Sequence, residues 1–434
     1  MMDRRDFLTS SAVVGGAFCI GGILGFGAAF LKGKTHPEAG KVWRGWKKGR
    51  FQVHFIYTGV SESAFYIFPD GTTMLLDCGD HNAIGRGPLA VPVLPNSKRH
   101  AGEWIARYVK RVNPNGADVD YMMLSHYHSD HAGNRAFYAS KDVRDGKDYY
   151  LSGFSQAAET LSFKKAIDRS WPDFSDPLPM PDDFDSGVVG HMKRFYEYQM
   201  KHNGLEVEKF RLGATDQIIP LRGECKNFSV RNICGNGRVC SEDGTVTDLY
   251  AGKIAAEHPE SLNENGMSLG MIVSYGDFKM YTAGDFSDSW KLPDGSTYKI
   301  EDSIADVCTR VNVAKINHHG HYSMTPKLLK VLAPRVFVSC VWDQLHNVAP
   351  VMEMCTDRSI YPGERIVCPT IMPAERRAED AGASWLNDVD PSSFEAGHVV
   401  LNVEEGGKEY SISYLTADDE SMIVRSVMNF TSEE

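Results

Sequence analysis

A chain of 434 residues with 42% hydrophobic, 24% charged and 11% aromatic residues has the composition of a folded protein, which excludes a disordered or coiled-coil chain. Forty glycines against twenty prolines fit a layered α/β or α+β domain better than a helix bundle. The formal net charge of −11 argues against a broad nucleic-acid-coating surface.

The first 35 residues stand apart. Arg4 and Arg5 are followed by Asp6, Phe7 and Leu8, and then by a nearly uncharged Gly/Ala-rich run from Ala12 to Leu31. This order resembles a twin-arginine export signal, which implies passage through the twin-arginine translocation machinery and a periplasmic location. The alternative is an N-terminal membrane anchor facing the periplasm, since about twenty apolar residues just span a bilayer. The leader carries a net +2, so the remainder is acidic. The eight cysteines beyond it show no C-x-x-C pair. Buried free thiols are expected for most of them, with one disulfide among Cys225, Cys234 and Cys240 as the alternative.

Residues 36–50 read as a linker, and one domain is expected over 51–434. The run 51–57 reads as a strand, and 64–68 with 73–77 as a hairpin closed by Pro69-Asp70-Gly71. Apolar residues at 104, 105, 108, 109 and 112 predict a helix over 101–112. A short apolar run, 121–124, leads into Ser125-His126-Tyr127-His128-Ser129-Asp130-His131. The segment 140–215 has no clean period beyond a helix near 186–203, and reads as an insertion that either covers a pocket or elaborates the surface. Further on, 268–275 pairs with 278–282 across Gly276-Asp277. Strands at 313–317, 336–341 and 366–368 alternate with helices at 326–331 and 350–355, and 398–403 with 410–416 form a last hairpin.

The stretch His126-x-His128-x-Asp130-His131 carries the most chemistry. A tight turn after a strand directs four ligand-type side chains to one side, and imidazole with carboxylate suits zinc, with manganese or iron as alternatives. Four ligands in six positions exceed what one open tetrahedral centre uses, so two divalent ions are expected.

This motif, with Asp77 in Leu76-Asp77-Cys78-Gly79 upstream, resembles the metallo-β-lactamase superfamily. The resemblance spans about residues 50–420 and implies a four-layer αββα sandwich of α/β (α+β) class, with a metal site at one edge of two packed sheets. It further implies that Asp285, in Tyr281-Thr282-Ala283-Gly284-Asp285, touches both metals. In Asn317-His318-His319-Gly320 it makes His319 the last ligand and His318 a neighbour. The lone histidine between these motifs is assigned to His258, shortly before Asn263-Glu264-Asn265. Asp77 is expected to hold a ligand histidine rather than the metal.

The His-His-Gly and Asn-Glu-Asn runs resemble the branch that contains the metallo-hydrolase domain of ComEC-type competence proteins and bacterial phosphorylcholine esterases. That branch implies phosphoester or phosphodiester substrates. The chain departs from it at His321, where the branch usually has Ser, and at His346, near where it often has Gly-His-Pro. Two cations sharing Asp285 would lower the pKa of a bridging water from about 15.7 toward about 7, giving the hydroxide nucleophile. Asp130 would orient that water, and His346 or His321 would donate a proton to the scissile group. The expectation is an exported dinuclear hydrolase of small-molecule or cell-envelope phosphoesters, without stable nucleic-acid binding. A β-lactamase, lactonase or thioesterase is the alternative within enzymes, because the same centre attacks carbonyls. A di-iron redox or oxygen-binding protein is the alternative outside hydrolases, and His128 argues against it, because such relatives carry Glu there.

Overall fold

Residues 36–80, 91–133, 149–180, 187–249, 251–259, 262–292, 294–343 and 345–433 are described by a computed structural model. The leader lies outside them. In chain order the first strands are β1 (Phe51–Phe55), β2 (Ala64–Ile67), β3 (Thr73–Leu76), β4 (Asp118–Met123), β5 (Ser162–Asp168), β6 (Glu206–Lys209), β7 (Phe228–Gly235), β8 (Arg238–Cys240) and β9 (Val246–Asp248). They are followed by β10 (Gly270–Tyr275), β11 (Phe278–Ala283), β12 (Trp290–Lys291), β13 (Thr297–Tyr298), β14 (Val313–Lys315), β15 (Val336–Ser339), β16 (Ile366–Pro369), β17 (Gly397–Val403), β18 (Glu409–Thr416) and β19 (Val424–Thr431).

The strands form a nine-stranded sheet, β19-β18-β17-β1-β2-β3-β4-β5-β6, and an eight-stranded sheet, β16-β15-β14-β11-β10-β7-β8-β9. β12 and β13 pair separately. Successive side chains of a strand point to opposite faces, so a strand buried on both sides feeds two cores. Met271 and Val273 enter the core between the sheets with Phe51, Val53, Val338 and Leu401, while Ile272 faces a second core with Leu328, Leu329 and Met352. On the far side of the first sheet, Phe65 and Ile67 pack against Ile105 and Val109 of helix Ala101–Val112 and Phe195 of helix Val188–Asn203. Three cores separate four layers. The architecture is the αββα metallo-β-lactamase-like sandwich.

Two sequence expectations change, and for the cysteines the expected free thiols are found. Residues 36–50 are not a free linker: Gly40 and Trp43 donate backbone hydrogen bonds to Val424 and Met422, and Trp43 stands edge-on to His54. The segment 140–215 is partly sandwich, because β5 and β6 extend the first sheet in parallel and helix Val188–Asn203 packs on it. Residues 134–148 and 181–186 of that region lie outside the described ones. All eight described cysteines are free, so Cys225, Cys234 and Cys240 form no disulfide. Among the described residues, no helix is long and apolar enough to cross a membrane.

Candidate metal centre

The site is assembled where strand ends of both sheets meet. β4 delivers Ser125 and His126, and His128 opens a single helical turn, Ser129–Ala132, that holds Asp130 and His131. β11 runs into Asp285, and β14 into the turn Asn317–Gly320 that carries His319. The two sheets are joined here by Leu269 donating to the Ser125 carbonyl, and Glu62, between β1 and β2, donates its N–H to the Asp130 carbonyl. Gly79 lets this loop sit close, since a Cβ there would lie 1.7 Å from the Asp130 oxygen.

Asp285 is the hub. Its Oδ2 lies 3.1 Å from Nε2 of both His131 and His319. Asp130 Oδ2 closes the group, 3.4 Å from His319 Nε2 and 3.9 Å from His131 Nε2. Beside it, His126 Nε2 and His128 Nδ1 stand 3.1 Å apart, with the His126 ring 4.2 Å from that of His131. Ligand atoms about 2.0–2.2 Å from a tetrahedral cation lie roughly 3.3–3.5 Å from each other, so these separations suit shared cations. Moreover, His131 Nε2, His319 Nε2 and Asp285 Oδ1 are buried without an aligned hydrogen-bond partner, an arrangement that is costly unless a ligand completes it. The residues fit divalent cations.

The outer faces of the ring ligands are held by carboxylates. Asp77 accepts from Ser125 N and Oγ and lies 2.7 Å from His131 Nδ1. Glu62 Oε2 lies 3.2 Å from His319 Nδ1, and its Oε1 is 3.0 Å from Lys315 Nζ. Glu62, His131, Asp285 and His319 place ligand-type atoms within 4.8 Å of one another. Glu62 Oε2 nevertheless faces the outer nitrogen of His319, at ion-pair distance and without an aligned hydrogen bond, so it stands behind that ring. Sequence reasoning missed Glu62 and Lys315.

Electrostatics record an excess of negative potential at the hub. Burial alone would lower His131, but Asp285, Asp77 and Asp130 hold it well above its ordinary value. Burial likewise opposes the charge of Asp285, yet His131 and His319 keep its carboxyl well below the usual range. A bound cation would replace those ring protons, since ligand histidines must be neutral.

Four sequence candidates remain to be placed. His318 is a neighbour, its Nδ1 3.1 Å from Ser287 Oγ and its Nε2 3.1 Å from Asn265 Nδ2, and burial lowers it to about 4. His346 is buried with its Nδ1 2.8 Å from Asp343 Oδ1 and its ring 5.0 Å from that of His319. His321 lies farther out, 6.2 Å from the His346 ring and 4.5 Å from that of exposed Tyr322. His258 follows helix Ala251–Glu257, half-buried, and is not among the residues gathered at Asp285. His258 interacts electrostatically with exposed Asp294.

The turn bearing His318 and His319 is left-handed at both residues, with φ of 48°. Glu301 holds it from beneath, accepting from Asn317 Nδ2 and Thr325 N, each at 2.7 Å. Burial pushes the Glu301 carboxyl up to about 7. The folded protein therefore keeps a proton there between about pH 4.5 and 7 that the unfolded chain releases, so stability falls as pH rises through that window. The expected loss is on the order of 3 kcal/mol by pH 8. Denaturant titrations at pH 5 and 8 should show it in wild type, and Glu301→Gln should lack that component; an equal pH dependence in both would refute it.

Residues 57–141 match the family model described as the metallo-β-lactamase superfamily, from just after β1 to beyond the histidine cluster. No curated protein matches the chain. The sandwich, this domain match and the buried His/Asp centre make the chain a metal-dependent hydrolase.

Proposed function

We propose that this metallo-β-lactamase superfamily enzyme is an exported dinuclear zinc hydrolase of phosphoesters or phosphodiesters, acting on a small-molecule or cell-envelope substrate. The observation that carries the hydrolytic centre is the convergence of Asp285 and Asp130 on His131 and His319, beside the His126–His128 pair. Bound cations would supply an acidified water and neutralise charge developing on the substrate oxygens. Asp130, at the solvent side of the hub, would accept a hydrogen bond from the attacking water and so orient it. His346, with Asp343 2.8 Å from Nδ1, would move a proton at Nε2, and His321 lies 6.2 Å from its ring. The phosphoester assignment is supported by the resemblance of the His-His-Gly and Asn-Glu-Asn runs to the ComEC-type and phosphorylcholine esterase branch; Asn265 and His318 of those runs touch.

Elemental analysis paired with hydrolysis assays tests this reading. Wild type is expected to hold two zinc ions and to cleave a generic phosphodiester in preference to a β-lactam or a lactone. Loss of either ligand of the His126–His128 pair disables a centre that works as a unit, so His128→Ala should lose about 100-fold or more in kcat. Protein without metal, or activity untouched by the substitution, would sink the hydrolase; turnover of β-lactam alone would reject only the phosphoester claim, and iron in place of zinc with redox activity would favour the di-iron alternative. Export is supported by the Arg4-Arg5 leader. Replacing both by Lys should block it if the leader addresses the twin-arginine machinery, and unimpaired export would reject that route.

A further inference from the structure

The two halves of the metal centre are built unequally. In the half around Asp285, both histidines have a fully buried carboxylate on their outer nitrogen: Asp77 at 2.7 Å from His131 and Glu62 at 3.2 Å from His319. Such a partner fixes the tautomer, locks the ring plane and makes the inner nitrogen a better donor. Two further carboxylates, Asp130 and Asp285, belong to this half itself. In the other half, the partner of His126 Nδ1 among the described residues is the Ser125 hydroxyl at 3.0 Å, which already donates to Asp77. His128 is half-exposed at the rim of the site.

Lys315 explains how Glu62 is kept in place. It lies in β14, buried, with Nζ 3.0 Å from Glu62 Oε1 and donating at 2.7 Å to the Ala283 carbonyl, two residues before Asp285. One ammonium thus ties the carboxylate behind His319 to the strand that delivers the hub. A buried carboxylate without such a cation would be strongly disfavoured.

We propose that the Asp130–His131–Asp285–His319 half takes its cation first and holds it tightly, that the His126–His128 half is the exchangeable one, and that Glu62, seated by Lys315, is the positioning residue behind this order. The inference rests on the metal-centre reading and adds an order of loading to it. Titrating metal-stripped protein with Co2+ alone, by absorption and by competition with a chelator, reads both steps without any assay of turnover. Wild type should bind in two steps whose affinities differ at least about tenfold, and His128→Ala should keep the tight step and lose the weak one. Glu62→Gln should weaken the tight step about 10- to 100-fold, the cost typical of losing a partner behind a ligand, and leave the weak step in place. Because that change strands Lys315, the double variant Glu62→Gln/Lys315→Met, with both buried charges removed, must show the same weakening while its circular dichroism matches wild type. Two equal steps, loss of the tight step in His128→Ala, or a tight step unchanged in the double variant would overturn the inference and leave the hydrolase standing. A wild type that takes up no Co2+ would overturn both.

Discussion

Asp285→Asn should leave a folded protein that has lost about a thousandfold or more in kcat and holds less than its full metal complement. A thousandfold corresponds to about 4 kcal/mol of transition-state stabilisation. The substitution preserves shape. The backbone N–H of residue 285 stays held by Ser268 Oγ at 2.9 Å, so the end of β11 keeps its course. What disappears is one negative charge at the point where His131 and His319 both approach within 3.1 Å. The two rings then face a neutral amide, and the drive that holds His131 and His319 well above ordinary histidine values weakens. Activity, elemental analysis and circular dichroism on the same preparation check this. A variant with near-normal kcat and full metal would remove Asp285 from the centre of the chemistry.

The ease of gathering His126 to His131 from sequence, and the failure to place Glu62, have a common physical cause, while Asp285 was reached only through the family resemblance. His126 to His131 sit within six positions, and a tight turn after a strand needs only local residues to gather them. The β2–β3 and β10–β11 hairpins are equally local, each closed by a Gly-containing turn whose chemistry can be read directly. Glu62 and Lys315 meet across more than 250 positions, and only the packing of one sheet on the other brings them together. Lys315 lies in a strand whose three residues are all buried, and such a strand has no polar face to betray where its lysine points. A lone lysine inside an apolar run was the available signal, and it says nothing of a partner. β19 escaped for the opposite reason, because it is an edge strand with mixed exposure and a weak alternation. β5 and β6 were absorbed into a supposed insertion because their parallel partners are distant in sequence, and parallel pairing carries no turn signal.

Arg169→Met should destabilise the fold by about 3 kcal/mol, at the low end of the range for breaking a buried ion pair because Glu264 keeps some contact with solvent. The guanidinium is buried and forks onto Glu264, with Nε 2.7 Å from Oε1 and NH2 2.6 Å from Oε2. It also donates to Asn236 and lies 4.7 Å from the centre of the Tyr127 ring. Glu264 Oε1 in turn accepts the N–H of Tyr127, the residue between His126 and His128. Removing the cation leaves a carboxylate against the very loop that presents those two rings, so the loss should fall on function as well as stability. Arg169→Lys restores a charge but not the planar fork, and should recover only part of both. The double change Arg169→Met/Glu264→Gln removes the stranded charge, and should regain stability without regaining activity, because the amide accepts less strongly from Tyr127 N. Denaturant midpoints with kcat for the three variants decide it. If Arg169→Met lowers stability while kcat stays at wild type, the pair is a brace for the fold alone and the loop is held by its own turn.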